Sequence, residues 1–182
     1  MPLPVAHSLV ACSIGVLWRG RTLRTADWAT ALWWSVLAVS PDFDFAVALV
    51  AGEPILHRSA THSLLTALAV GLVLAAVESR SFNWRLSAFY TLLLGSHGVL
   101  DYATTSSHYA GPALLWPVSR ERFALGLWSV PDLHWLGLPQ QPWVPSGFIQ
   151  GFVLEVLVFL PIFLLISLAV AYLRPKLATD AP

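Results

Sequence analysis

Seven histidine and aspartate residues in this sequence belong to the side-chain types that bind divalent metal ions. In chain order they are His7, Asp42, Asp44, His57, His62, His97 and Asp101. Neutral imidazole nitrogens and carboxylate oxygens are the usual protein ligands of zinc-like ions, and carboxylates also suit harder cations. If the fold brings them together, these residues predict a site for one or two divalent ions.

The most constrained pair lies in residues 95–101, which read Gly-Ser-His-Gly-Val-Leu-Asp. His97 and Asp101 are four residues apart, so on a helix they share one face, with Cβ atoms about 5–6 Å apart. Two side chains placed in this way can bind the same ion. A structural or proton-relay pair is the alternative that the spacing leaves open.

Two further motifs supply the remaining ligands near helix ends. In Pro-Asp-Phe-Asp, Pro41 should end or kink a helix and expose two carboxylates, although a solvated helix end has the same pattern. In residues 57–63, His-Arg-Ser-Ala-Thr-His-Ser, we expect Thr61 or Ser59 to cap the next helix. Arg58 is either a surface cation that binds lipid headgroups or a clamp for a phosphate or carboxylate.

Composition places these motifs in a membrane. Of 182 residues, 57% are hydrophobic and only 11% are charged, against about 25% charged in soluble domains. Since one span needs about 20 apolar residues, we predict an all-α fold, a polytopic transmembrane helical bundle of about five helices. It would form a single integral membrane domain over residues 1–182, with approximate spans at 4–18, 28–50, 62–78, 86–104 and 149–173.

Charge gives the expected orientation of the chain. Net charge is zero, so no overall positive field attracts nucleic acid and none is expected as a partner, whereas the lipid bilayer is expected. Seven basic residues belong on the cytoplasmic side by the positive-inside rule: Arg19, Arg21, Arg24, Arg80, Arg85, Arg174 and Lys176. The opposite side then holds Arg58, Arg120 and Arg122, and all seven candidate ligands lie toward this extracytoplasmic face.

The segment 105–148 is rich in proline and tryptophan and too polar to span. Tryptophan prefers the headgroup layer, so we expect an interfacial, extracytoplasmic cap with short helices near 120–136. His108 and His134 are expected to be surface groups in this cap. Asp132 is expected to cap a helix, although it lies on the correct face to join the site.

Taken together, the motifs resemble those of the YdjM-type family of membrane-bound, metal-dependent hydrolases. The family pattern of Pro-Asp-x-Asp, His-Arg-x-x-Thr-His-Ser and Ser-His-x-x-x-Asp is met at each polar position by residues 41–44, 57–63 and 96–101. His7 and Pro117 complete a match over approximately residues 5–135. The resemblance implies a multi-pass inner (plasma) membrane protein with a divalent-metal site, a hydrolase activity, and the seven ligand positions named above.

The leading hypothesis is therefore a membrane-bound hydrolase in which a metal-activated water attacks an ester or phosphoester. Asp44 or Asp101 would act as general base and Arg58 would stabilise negative charge. Zinc is the expected ion, and the headgroup-level site favours a lipid or lipid-linked substrate. Two alternatives remain: a non-catalytic protein that binds or transports a metal ion or protons, and a structural protein with a polar cluster that stabilises its helices.

Overall fold

The computed structural model describes residues 3–53, 57–105, 111–127 and 148–179, and in this part of the chain it contains helices and no strand. The predicted all-α class is thus confirmed for those residues. The helices are α1 (Pro4–Arg19), α2 (Trp28–Val39), α3 (Asp44–Ala51), α4 (Leu64–Ser79), α5 (Trp84–Thr104) and α6 (Phe148–Thr179). Short 3-10 turns occupy Thr25–Asp27, Ser40–Phe43 and Ala60–His62.

The second predicted run is one helical segment with a break. Pro41 lies in the 3-10 turn Ser40–Phe43, which joins α2 to α3. Because proline has no N–H group and its ring clashes with the preceding turn, a regular α-helix cannot continue through it. Counted in this way, the described chain has five helical segments, as the apolar runs predicted, and the break places Asp42 where the helix is interrupted.

Two helical segments are long and apolar enough to cross a membrane. They are Thr25–Ala51 and Gly151–Leu173, and Leu64–Ser79 is a shorter apolar helix. Large apolar side chains cover much of their outer surface; Val50, for example, is 89% exposed and Leu165 is 66% exposed. Such a surface is costly in water and is the normal surface of a protein that contacts lipid.

The helices pack around a small apolar core. The helix α4 packs most extensively on α5, while α1 contacts α2, α5 and α6. A Cβ atom on Gly71 would lie 2.8 Å from the backbone nitrogen of Thr91, so glycine permits close approach of α4 and α5. The core side chains are Ala11, Trp34, Leu37, Ala38, Ala75, Phe89, Tyr90 and Leu93.

The first turn of α1 is capped by a carboxylate from α6. Glu155 is 4% exposed and accepts hydrogen bonds from the backbone N–H groups of Leu3 and Ala6, the latter at 3.0 Å. The first N–H groups of a helix lack intrahelical partners, and no side chain within α1 caps them. Glu155 therefore satisfies backbone donors, complements the helix dipole and fixes the turn that carries His7.

Removal of this cap should destabilise the protein. In Glu155→Leu the two N–H groups lose their acceptor inside the bundle, which should cost about 1–3 kcal/mol. Thermal unfolding in detergent should show a lower Tm than wild type, whereas Glu121→Leu, at an exposed position, serves as the control. Equal Tm values for the two variants would contradict the capping role.

Candidate metal centre

Four chain segments bring buried polar side chains to one end of the bundle. His7 comes from the first turn of α1, Asp42 from the 3-10 turn Ser40–Phe43, and His62 from the 3-10 turn Ala60–His62, while α5 contributes His97 and Asp101. His7, His97 and Asp101 are 0% exposed and His62 is 2% exposed. Polar groups buried this deeply need partners inside the site.

The position of His62 is fixed by the residue that follows it. Ser63 caps α4, because its hydroxyl oxygen accepts hydrogen bonds from the N–H groups of Leu65 at 3.1 Å and Thr66 at 3.4 Å. The same hydroxyl donates to the carbonyl of Trp116 at 2.6 Å. The expectation that Thr61 or Ser59 caps this helix is therefore wrong, since the helix begins later than the hydropathy suggested.

Asp42, His62, His97 and Asp101 could hold a metal ion. Each offers one ligand atom, and the four atoms lie within 4.8 Å of one another. His97 Nε2 lies 3.0 Å from His62 Nε2 and 3.3 Å from Asp42 Oδ1, and His62 Nε2 lies 3.2 Å from Asp101 Oδ2. In a tetrahedral site with bonds near 2.0–2.1 Å, neighbouring ligand atoms are about 3.3 Å apart, so these three separations fit one ion, whereas atoms as far apart as 4.8 Å would have to move closer to share it.

Hydrogen bonds to Nδ1 set the tautomers of His62 and His97. His97 Nδ1 lies 2.7 Å from the carbonyl oxygen of Ala38, which can only accept, so Nδ1 carries the proton. The Thr61 hydroxyl donates to Asp44 and therefore accepts from His62 Nδ1 at 3.0 Å. Both Nε2 atoms then present lone pairs to the same space, an arrangement that is repulsive without a cation and suited to binding one.

The site also contains buried polar atoms without hydrogen-bond partners among the described residues. They are Asp42 Oδ1, both carboxylate oxygens of Asp101, and both ring nitrogens of His7. Unsatisfied buried groups are rare, and each one requires a physical explanation. A divalent ion coordinated by Oδ1 of Asp42 and an oxygen of Asp101 would satisfy those two carboxylate atoms, so Asp42 and Asp101 fit such an ion.

Asp44 and His57 lie one layer outside this group of four. Asp44 Oδ1 is 2.6 Å from His57 Nδ1, and Asp44 Oδ2 accepts from the backbone N–H of Arg58 at 3.2 Å and from the Thr61 hydroxyl. Asp44 Oδ2 is also 3.5 Å from His62 Nδ1. The carboxylate is thus positioned to orient His62 through its distal nitrogen, the usual outer-shell arrangement of metal-binding histidines.

His7 lies against the group of four from the α1 side. Its ring stacks on that of His97, with centroids 3.9 Å apart and planes 15° apart, and its Nε2 lies 3.8 Å from Asp101 Oδ1. The structure therefore brings all seven predicted ligands into one neighbourhood. It separates them into four that share one small space and three that surround it.

Arg58 reaches the same centre from a strained backbone. It is 7% exposed and has a φ of 62°, a left-handed conformation that is costly for a residue with a Cβ atom. Its N–H donates to Asp44 and its carbonyl accepts from Ala113 N–H at 2.9 Å, so both backbone groups are held. The side chain places Nε 3.7 Å from Asp101 Oδ2 and donates from Nη1 to Thr105 Oγ1 at 3.3 Å.

Arg122 is a site residue that sequence reasoning missed. Its guanidinium donates to the carbonyl of His57 at 3.3 Å, to the carbonyl of Gly111 at 3.1 Å and to Ser59 Oγ at 3.0 Å. Burial, and after it the nearby charge of Arg58, lowers the pKa of Arg122. The guanidinium thus links the residues on both sides of Arg58 to the segment 111–127. No motif or spacing in the sequence indicates such a contact.

The described part of the predicted cap lies over this end of the bundle. In residues 111–127 the backbone carbonyl of Leu114 accepts from Leu64 N–H at 3.0 Å, and Leu125 N–H donates to the carbonyl of Tyr102 at 2.7 Å. Residues 120–127 are not helical. The rest of the expected helical region, residues 128–136 with Asp132 and His134, lies outside the described residues, and so does His108.

Comparison with known proteins agrees with the apolar surface of the helices. The model of the YdjM inner membrane protein family matches residues 1–175. The inner membrane protein YbcI of Escherichia coli K12 is 30% identical over 171 residues, which cover 83% of this chain and 96% of that protein. No solved structure matches. The resemblance predicted from the motifs is confirmed, and the chain is a membrane protein that belongs to the YdjM inner membrane protein family.

Proposed function

We propose that this protein is a membrane-bound, metal-dependent hydrolase, with Asp42, His62, His97 and Asp101 as ligands of one divalent ion, zinc by the donor set. The observation that carries the proposal is the convergence of two histidine Nε2 atoms and two carboxylates, all within 4.8 Å, in a buried site. Mixed imidazole and carboxylate donors are typical of catalytic zinc sites.

The ion's contribution to the chemistry would be to polarise an ester or phosphoester and to activate a water molecule for attack. The general base is Asp101, because its Oδ1 has no hydrogen-bond partner among the described residues and can take the proton of that water. Asp44 is less suited to this step, since its oxygens already accept from His57, Arg58 and Thr61. We assign Asp44 and His57 to the positioning of His62.

Arg58 would stabilise the negative charge that develops on the substrate. Its guanidinium is buried beside Asp101, and a cation fixed in a site of low polarity acts more strongly than one in water. Three carboxylates in the neighbourhood meet two guanidinium groups, which leaves one net negative charge that favours a bound cation. His7, beside Asp101 Oδ1, is the candidate ligand of a second ion.

We further infer a multi-pass arrangement, one integral membrane domain with the site on the extracytoplasmic face. The arginine distribution supports this orientation, and the segment 111–127 would form part of an extracytoplasmic cap. A lipid or lipid-linked substrate would reach the site laterally, at headgroup depth. The non-catalytic alternative of ion or proton transport is disfavoured because, among the described residues, an apolar cluster that includes Ala11, Trp34 and Leu93 forms the core deeper in the bundle.

Arg58→Gln separates catalysis from metal binding. The variant should keep its bound metal, because Arg58 is not among the four ligands, but should lose about a hundredfold or more in kcat on the lipid ester or phosphoester that the wild type cleaves. Hydrolysis is measured on metal-loaded protein with a panel of phospholipids, lipid-linked phosphates and carboxylic esters, and metal content by elemental analysis.

The control for this experiment is Arg120→Gln, which removes an arginine from the same segment of the chain as Arg122 and leaves the metal neighbourhood unchanged. Its activity should equal that of the wild type. Flux of metal ions or protons in proteoliposomes without cleavage of any substrate in the panel would contradict the hydrolase assignment and favour transport.

A further inference from the structure

A second cleft lies at the opposite end of the bundle from the metal centre. It is formed by the end of α1, the start of α2, the end of α4 and the start of α5, and its volume is about 490 Å³. That volume is in the range of small-molecule sites, about 300–1,000 Å³. Arg19 in this cleft and His7 at the metal centre are twelve residues apart on α1, so about 18 Å of helix separates them.

Aromatic residues make up half of the lining of this cleft. Trp34 is 3% exposed and packs edge-on against Phe89 at 5.7 Å, while Trp18 lies 5.4 Å from Phe89 on the other side. Trp33 and Tyr90 complete the lining. Tryptophan and tyrosine concentrate at the headgroup layer of membranes, and their faces attract ammonium groups.

One side of the cleft carries a net positive charge. The Arg19 guanidinium lies over the Trp34 ring, 4.6 Å from its centroid. Arg19 and Arg21 share a single carboxylate, that of Asp27, with Arg21 bound in bidentate fashion at 2.7 and 2.8 Å and Arg19 at 3.3 Å. Two guanidinium groups with one carboxylate leave one positive charge, so this side favours an anion such as a phosphate.

The other side carries a negative charge. Glu78 is exposed to the cleft and accepts a hydrogen bond from the Tyr90 hydroxyl. Within the described ranges, Glu78 forms no salt bridge with a basic side chain. A carboxylate beside aromatic rings, with only a neutral donor, is suited to pair with an ammonium that has N–H groups to donate.

We propose that this cleft binds the headgroup of a zwitterionic phospholipid with a primary ammonium, of the phosphoethanolamine type. The phosphate would lie at Arg19, and the ammonium would lie between Glu78 and the aromatic rings. An anionic headgroup would leave Glu78 without a cation, and a quaternary ammonium has no N–H to donate to it. The site is distinct from the metal centre and does not depend on hydrolysis there.

Native mass spectrometry of the full chain can test this preference. Protein released from detergent is titrated with short-chain phosphatidylethanolamine, phosphatidylglycerol or phosphatidylcholine, and the bound-lipid fraction gives Kd. The wild type should bind the ethanolamine lipid most tightly. Glu78→Gln, which retains an acceptor for Tyr90, should weaken that binding about tenfold and remove the preference.

Glu53→Gln is the matched control, because Glu53 is an exposed carboxylate at the other end of the bundle. It should bind all three lipids as the wild type does. Equal affinities of the wild type for the three headgroups would overturn the proposal without any variant. The same conclusion would follow if Glu78→Gln kept the ethanolamine preference, or if Glu53→Gln lost it to the same extent.

Discussion

Replacement of His62 and His97 by alanine is expected to remove the bound metal. Wild-type protein purified without chelator should hold about one divalent ion per chain in the group of four, or about two if His7 binds a second one. The double variant loses both imidazole ligands, whose Nε2 atoms lie 3.0 Å apart, and keeps two carboxylates that bind zinc-like ions weakly on their own. Elemental analysis should then give below about one tenth of the wild-type content.

His57→Ala is the matched control for this loss. It removes an imidazole whose ring centroid is 5.4 Å from that of His62 but whose nitrogen contacts Asp44 and not the group of four. This variant should retain the ion, with an affinity lowered about tenfold or more because Asp44 orients His62 less firmly. An unchanged metal content in the double variant would show that the ion binds elsewhere.

Much of the fold could be predicted because long apolar runs determine both helix type and environment. The predicted ends of the helices were wrong where polar residues cap them. The helix α4 begins after the Ser63 cap and not at His62, and α5 begins at Trp84, capped by Asn83. Capping depends on which side chain reaches a backbone N–H, and hydropathy does not report it. Pro41 was informative because its effect on a helix is local.

The membership of the site was predictable, but its internal order was not. His97 and Asp101 share a helix face by spacing alone, whereas the separation of Asp42 from Asp44 arises from the 3-10 turn, which directs only Asp42 into the group of four. The role of Arg122 depends on long-range contacts with His57 and Ser59, for which a single sequence contains no signal.

The geometry also explains why so many ionisable groups are tolerated at one place. Two of the buried rings have a partner that sets their direction: Ala38 for His97, and Thr61 with Asp44 for His62. These contacts leave the atoms that face the centre without protein partners, so the cost of burial is offset only when a cation is bound. Metal binding and the stability of this end of the bundle should therefore be coupled.

Gly98→Ala should weaken both metal binding and stability through backbone packing, although it replaces none of the ligand residues. A Cβ atom at position 98 would lie 2.3 Å from the carbonyl oxygen of His62 and 3.2 Å from Leu114 Cδ2. Because the added Cβ would meet the backbone of His62, the turn Ala60–His62 must move away from α5. This movement would carry His62 Nε2 out of the group of four. We expect a loss of about 1–3 kcal/mol in stability and at least about a tenfold weaker Kd for the metal.

Gly95→Ala provides an internal control for this prediction. It lies three residues earlier on α5, and its added Cβ would meet only Leu64 Cδ2 at 3.4 Å and Ala67 Cβ at 3.7 Å, both ordinary contacts. Alanine is the better helix former by about 1 kcal/mol, so this variant should be neutral or more stable, with full metal binding. Thermal unfolding with and without chelator distinguishes the two variants. The Tm of the wild type and of Gly95→Ala should fall when the metal is removed. The Tm of Gly98→Ala should change little, because this variant should already be close to its metal-free Tm. If Gly98→Ala bound metal as tightly as Gly95→Ala, the close packing of α5 on the turn Ala60–His62 would not be what holds His62 in place.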